Sequence, residues 1–212
     1  MSLTFAPFLT VWAVLAMNIA SPGPNVLNTI TTAMGSGRGP GLASAAGAAL
    51  GVGLWCLGMT LGMAALFQAV PAMRTVLTVI AIGLLLWFAA RYLGTAWAGW
   101  RHGAQRIAGR AGLGARASFL RSLSVNAMNP KALTTWVVIL SLFPVARAHA
   151  GDIALLGAGA AAIAFAIHAG YALAFSTPPA ARVWLRLAPL INAGVGIFFA
   201  GFAAKLALGL LP

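Results

Sequence analysis

Apolar stretches long enough to cross a bilayer follow one another along almost the whole chain, separated by short punctuation rich in Gly, Pro and Arg. A spanning helix needs about 20 predominantly apolar residues. The pattern predicts six segments, at 5–34, 42–67, 72–97, 118–143, 152–176 and 188–210. Gly35 to Gly41, Pro71, Pro144 and Pro178-Pro179 mark most of the boundaries, being residues that favour turns and stop helices. The stretch from Trp100 to Arg121 differs, because it carries Arg101, Arg106, Arg110, Arg116 and Arg121 among several glycines. It reads as a basic loop. The expected fold class is an all-α integral membrane protein with six transmembrane helices.

Two of the six segments are interrupted. The first contains Asn18-Ile19-Ala20-Ser21-Pro22-Gly23-Pro24-Asn25, and the fourth contains Asn126-Ala127-Met128-Asn129-Pro130-Lys131. A proline inside a helix removes a backbone hydrogen bond and costs about 3 kcal/mol. Lipid offers no water to repair that loss, so broken backbone persists only where protein buries it or where it lines a cavity. Matched broken segments in two halves of a chain point to a transporter's substrate site.

Sliding the chain by 108 positions superposes Asn18 on Asn126 and Pro22 on Pro130, and also Pro71 on Pro179 and Arg74 on Arg182. Each half then has three segments. An odd number turns the second half upside down relative to the first, so two inverted three-helix repeats are expected. Their bounds are 1–105 and 118–212, joined by a basic cytoplasmic linker at 106–117.

The breaks carry chemistry of their own. Pro22 and Pro130 free the carbonyls of Asn18 and Asn126, four residues earlier. A new helix begins beyond each break, with unpaired N–H groups and the positive end of its dipole, which is an anion site. Two facing breaks therefore suit a zwitterion, with carboxylate at the donors and ammonium at the freed carbonyls. An amino acid fits that description. Asn25, Asn28, Thr29 and Thr32 follow the first break on one helix face, and Lys131, Thr134 and Thr135 follow the second. A lysine at membrane depth should face water or an anionic ligand rather than lipid. The bland alternative is a pair of structural kinks re-satisfied by Ser21 and Asn129, with Lys131 snorkelling.

Charge and composition sharpen this picture. The 212 residues are 61% hydrophobic and 7% charged, against about 25% charged in ordinary soluble domains. Asp152 is the single acid against thirteen Lys and Arg, a net charge of +12. Basic loops facing anionic lipid explain that balance, and nucleic acid is not expected as a partner. Eight Lys/Arg fall in the loops between segments 1–2, 3–4 and 5–6, and two (Arg74 and Arg147) in the loops of the opposite side. By the positive-inside rule both termini face away from the cytoplasm. Trp97 and Trp100 fit an aromatic belt at the cytoplasmic interface. The N-terminus lacks a basic region and a good cleavage site, so the first segment reads as retained.

The remaining signals are weaker. His168 and Tyr171 lie one turn apart in the fifth segment. They are proton-coupling candidates, with a packing histidine as the alternative. Arg91 and Lys205 lie near segment ends and are expected to snorkel. Gly47-x-x-x-Gly51 and Gly58-x-x-x-Gly62 are expected to let helices approach closely. Cys56 stands alone, which excludes an internal disulfide and a cysteine-rich metal site. With no phosphate loop, no carboxylate pair and no Ser/His/Asp set, neither an enzyme nor a cofactor is expected.

At the two breaks the chain resembles the LysE/RhtB family of bacterial amino-acid exporters. The matching residues are Ser21-Pro22-Gly23-Pro24-Asn25 and Asn126-x-x-Asn129-Pro130-Lys131-Ala132, and segment layout and length agree over nearly the whole chain. The resemblance implies gradient-driven export of amino acids across the bacterial inner membrane. It makes Pro22, Gly23, Pro24, Asn25, Asn129, Pro130 and Lys131 the carried-over site positions. Exporters of basic amino acids in this family tend to carry an acid on the second helix, whereas Gly51-Val52-Gly53-Leu54-Trp55-Cys56 has none. A neutral substrate is therefore expected, of the threonine, homoserine, leucine or cysteine-precursor kind. The full expected substrate set is Asn18, Ser21, Pro22, Gly23, Pro24, Asn25, Asn28, Asn126, Asn129, Pro130, Lys131 and Thr134. A homo-oligomer remains open. So does a rival class, a structural subunit or lipid-handling membrane enzyme.

Overall fold

The computed structural model describes residues 3–70, 73–103 and 108–210, and these are helical with no strand among them. The helices are α1 (Ala6–Ala20), α2 (Pro24–Ser36), α3 (Arg38–Ala69), α4 (Met73–His102), α5 (Ala115–Ala127), α6 (Pro130–Leu142), α7 (Ala150–Phe175) and α8 (Pro178–Leu208). A short 3-10 turn, Val145–Arg147, joins α6 to α7. Parts of α3, α4, α7 and α8 are each long and apolar enough to cross a membrane. The pair α1 and α2 meets the same condition jointly, bent by 53° at its break.

The fourth expected segment behaves differently from the first. Its second half, α6, is apolar but only 13 residues long. Its first half, α5, is polar, with Arg116, Ser118, Arg121, Ser122 and Ser124. The expected basic loop is also shorter than the arginine spacing suggested. Arg101 lies in the last turn of α4, while Arg116 and Arg121 lie inside α5. Ala, Leu and Arg are good helix formers, and Arg121 finds an acceptor in Asn28 Oδ1 at 3.0 Å. Helix α8 likewise begins at Pro178, ten residues before the expected sixth segment, so Arg186 is helical rather than a loop residue. Proline suits the first helical turn, where its missing N–H is not needed. The expected boundary at Pro71 and the loop residue Arg106 lie outside the described residues, as do the side chains of Arg74, Pro179 and Arg182.

The core lies where α1, α6 and α7 meet α3. Phe8, Val11 and Leu15 of α1 pack on Trp136 and Ile139 of α6 and on Leu156 of α7. A second cluster joins α4 to α8 through Leu85, Phe88, Tyr92, Val195 and Phe199. Large apolar side chains such as Leu54, Leu61, Trp87 and Ile197 remain exposed on the outside. A soluble monomer rarely shows so much exposed apolar surface; lipid covers it naturally.

Helix α3 packs on α7 and α5, and α4 on α8. Small residues permit the closest of these approaches. A Cβ on Gly47 would meet Phe119 O at 2.3 Å, and one on Gly51 would meet the Asn126 side chain at 2.7 Å. The first expected glycine pair is thus a helix contact. The second is not, since Gly58 and Gly62 face open space among the described residues.

Candidate functional site at the two helix breaks

The first break is held by side chains from three other helices. Beyond α1 the chain turns at Ser21-Pro22-Gly23, and α2 opens at Pro24. Tyr171 of α7 donates its hydroxyl to Ala20 O at 2.6 Å. Ser21 Oγ lies 2.5 Å from Asn18 O and 2.6 Å from the Tyr92 hydroxyl of α4. Ser21 has one hydroxyl hydrogen and can satisfy one of the two. The second break is capped locally. Asn129 Oδ1 accepts from Lys131 N at 3.0 Å, and α6 opens at Pro130.

Lys131 joins the breaks. Its Nζ donates to Asn18 O at 2.8 Å and to Ser21 Oγ at 2.7 Å, and stands 5.4 Å above the Tyr92 ring. The expectation that both freed carbonyls stand open for a substrate ammonium is therefore not met in this arrangement. Lys131 takes the carbonyl of Asn18, and the indole N–H of Trp55 donates to that of Asn126 at 3.2 Å. Each carbonyl also accepts a local backbone N–H, from Ser21 N at 3.3 Å and from Asn129 N at 3.2 Å, so the donor from a distant helix is an additional partner.

Lys131 has no carboxylate partner. The chain's one acid, Asp152, accepts from Leu3 N at 3.3 Å and His149 N at 3.0 Å at the start of α7. The junction of the breaks thus holds a lysine bonded to neutral acceptors, with Arg91 on the same cavity and no carboxylate.

Two cavities meet at this centre, both bordered by Gly23, Asn129 and Lys131. The smaller, of about 40 Å³, is also lined by Asn18, Ser21, Asn25, Asn126 and His168. That is room for roughly two or three waters. Polar atoms without partners collect here, namely Asn25 Oδ1, both amide atoms of Asn126, and His168 Nε2. Asn126 and His168 are each only 1% exposed. His168 Nδ1 lies 2.8 Å from Ala164 O. A carbonyl only accepts, so Nδ1 carries the hydrogen and Nε2 is left as an acceptor. The larger cavity, of about 200 Å³, is bordered by both helix starts, at Pro24 and Pro130, and by Pro22 and Thr134.

Of the expected substrate residues, Asn28 lies apart from both cavities. Its Nδ2 donates to Ser44 Oγ at 3.2 Å, and its Oδ1 accepts from Arg121. It pins α2 to α3 and α5. Tyr171 braces the end of α1 and lines neither cavity. The larger cavity also holds residues that sequence reasoning passed over, including Trp87, Tyr92, Thr95 and Asn192. Arg91 lines it too, rather than lying at a segment end. It lies six residues before the end of the expected third segment, whereas α4 runs eleven residues past it to His102.

A polytopic helical protein with proline-broken helices meeting at a cavity has the construction of a membrane translocator. The chain belongs to the LysE type translocator family, whose model matches residues 16–210. It is similar to the leucine efflux protein of Enterobacter sp. (strain 638), at 29% identity over 192 residues and 88% of each chain. An uncharacterized membrane protein of Pseudomonas aeruginosa is 28% identical over 196 residues and 91% of each chain. No solved structure matches.

Proposed function

We propose that this protein is a secondary exporter of neutral amino acids from the bacterial cytoplasm. One observation carries the reading. The ammonium of Lys131 lies at the junction of two broken helices and borders both cavities, with no carboxylate to balance it. Such a centre favours the carboxylate of a substrate and disfavours a basic side chain. Family membership and the similarity to a leucine efflux protein support the same reading. Orphaned polar atoms in the smaller cavity supply further groups for a polar substrate, and His168 Nε2 is the candidate for proton coupling.

The architecture that goes with this reading is six spans in two inverted repeats, 1–105 and 118–212. It is supported by the element bounds, since shifting α1 to α4 by 108 positions lands each on α5 to α8 within four residues at every end. Matching elements also pack on one another, α3 on α7 and α4 on α8, as expected about a two-fold axis. The termini lie outside and the 106–117 linker inside. Reporter fusions in that linker should report cytoplasm and fusions after Pro212 the exterior. A cytoplasmic C-terminus would overturn the orientation.

The functional test is efflux from vesicles loaded with amino acids and energised by an ion gradient. Leucine or threonine should leave faster with the protein present, and lysine should not. Equal rates with and without protein for every amino acid would refute export.

A further inference from the structure

The larger cavity contains groups that the broken-helix chemistry leaves unused. Arg91 of α4 and Asn192 of α8 line it from neighbouring helices. Arg91 is an exposed residue whose guanidinium lies 5.0 Å from the centre of the half-exposed Trp87 ring, a cation–π contact that leaves its hydrogen-bond donors free. Asn192 is 3% exposed, and its Oδ1 has no donor. A buried acceptor without a donor is costly to keep, unless a ligand supplies one for part of the working cycle.

The two groups have opposite appetites. A guanidinium is a planar fork of donors that matches a carboxylate, and Asn192 Oδ1 requires an N–H or O–H. That is the polarity of an amino acid's two ends. The buried Phe88, with the half-exposed Trp87 beside it, forms an apolar border for the rest of the molecule. Lys131 on the same cavity adds a second positive charge, and no acid lines it. A basic side chain is thereby excluded and an aliphatic one accommodated. At about 200 Å³ against about 40 Å³, this cavity has the room that the smaller one lacks.

The geometry points to a substrate subsite in the larger cavity, where Arg91 anchors the carboxylate and Asn192 accepts from the ammonium of an apolar, neutral amino acid. This rests on the export reading and deepens it. Lys131, Gly23 and Asn129 border both cavities, so substrate passing between them meets the Lys131 ammonium.

The test uses the full chain in proteoliposomes, with radiolabelled leucine counterflow as the readout. Leucinamide lacks the carboxylate and 4-methylpentanoate lacks the ammonium. In the parent, each should compete with leucine at least about tenfold more weakly than unlabelled leucine does, the worth of one charged hydrogen bond. Arg91→Gln should raise the KM for leucine about tenfold or more while leaving competition by leucinamide unchanged. Arg91→Lys should recover part of the affinity. Asn192→Leu should raise the KM for leucine and leave competition by 4-methylpentanoate unchanged. Unaltered competition also certifies that a variant is folded. A parent that does not distinguish leucine from leucinamide, or an Arg91→Gln protein with parental KM, overturns the subsite while leucine counterflow itself persists. A parent that moves no amino acid at all refutes export, and the subsite with it.

Discussion

Lys131 Nζ lies 2.8 Å from the main-chain oxygen of Asn18, across 113 residues of sequence. The first turn of α6 is thereby tied to the last turn of α1, and the second break supplies a donor to the first. The ammonium fills the role that a substrate's own ammonium would play at that carbonyl.

Lys131→Ala should keep the protein in the membrane yet reduce efflux from loaded vesicles about ten- to a hundredfold, the worth of one strong charged hydrogen bond. Pro130→Ala restores an N–H within a helix and should straighten the second break, damaging transport more broadly. Efflux at matched protein level decides the matter. If both variants export like the parent, the breaks are kinks alone.

Gly51→Ala should destabilise the protein by about 1–3 kcal/mol, as over-packing does, because the new methyl would meet the Asn126 side chain. Gly58→Ala, where nothing lies within 4 Å, should be neutral or stabilising by a few tenths of a kcal/mol up to about 1. Thermal unfolding in detergent should separate the two. An equal midpoint for both variants would contradict the close α3–α5 approach at Gly51.

His168→Gln should leave exchange of substrate across the vesicle membrane intact while abolishing the acceleration of efflux by a proton gradient. The buried Nε2 with no partner motivates this. Gradient-stimulated efflux at the parental level in the variant would exclude His168 as the coupling group.

Local composition was enough to read most helices and both breaks. The apolar runs report helix length, and Pro22, Pro24 and Pro130 report where helices stop and restart, because proline acts on the backbone within one turn. The limits of that reasoning appear at α5. Helix propensity carried residues 115–121 into a helix, while their arginines suggested a loop, and the acceptor that settles Arg121 comes from α2.

The sequence by itself determined that this is a membrane protein of broken helices, with one acid and a lysine just past the second break. Those properties depend on neighbours along the chain and on the cost of polar groups in lipid. Only the tertiary structure decided which face of each helix meets which partner. Helical periodicity shows that Asn25 and Asn28 are near one another on α2, but not that Asn25 reaches a cavity while Asn28 is spent on Ser44 and Arg121. It could not pair Trp55 with Asn126, or bring Arg91 and Asn192 to one cavity. Those relations are set by the packing of α3 on α5 and α4 on α8, between residues far apart in sequence, where spacing carries no information.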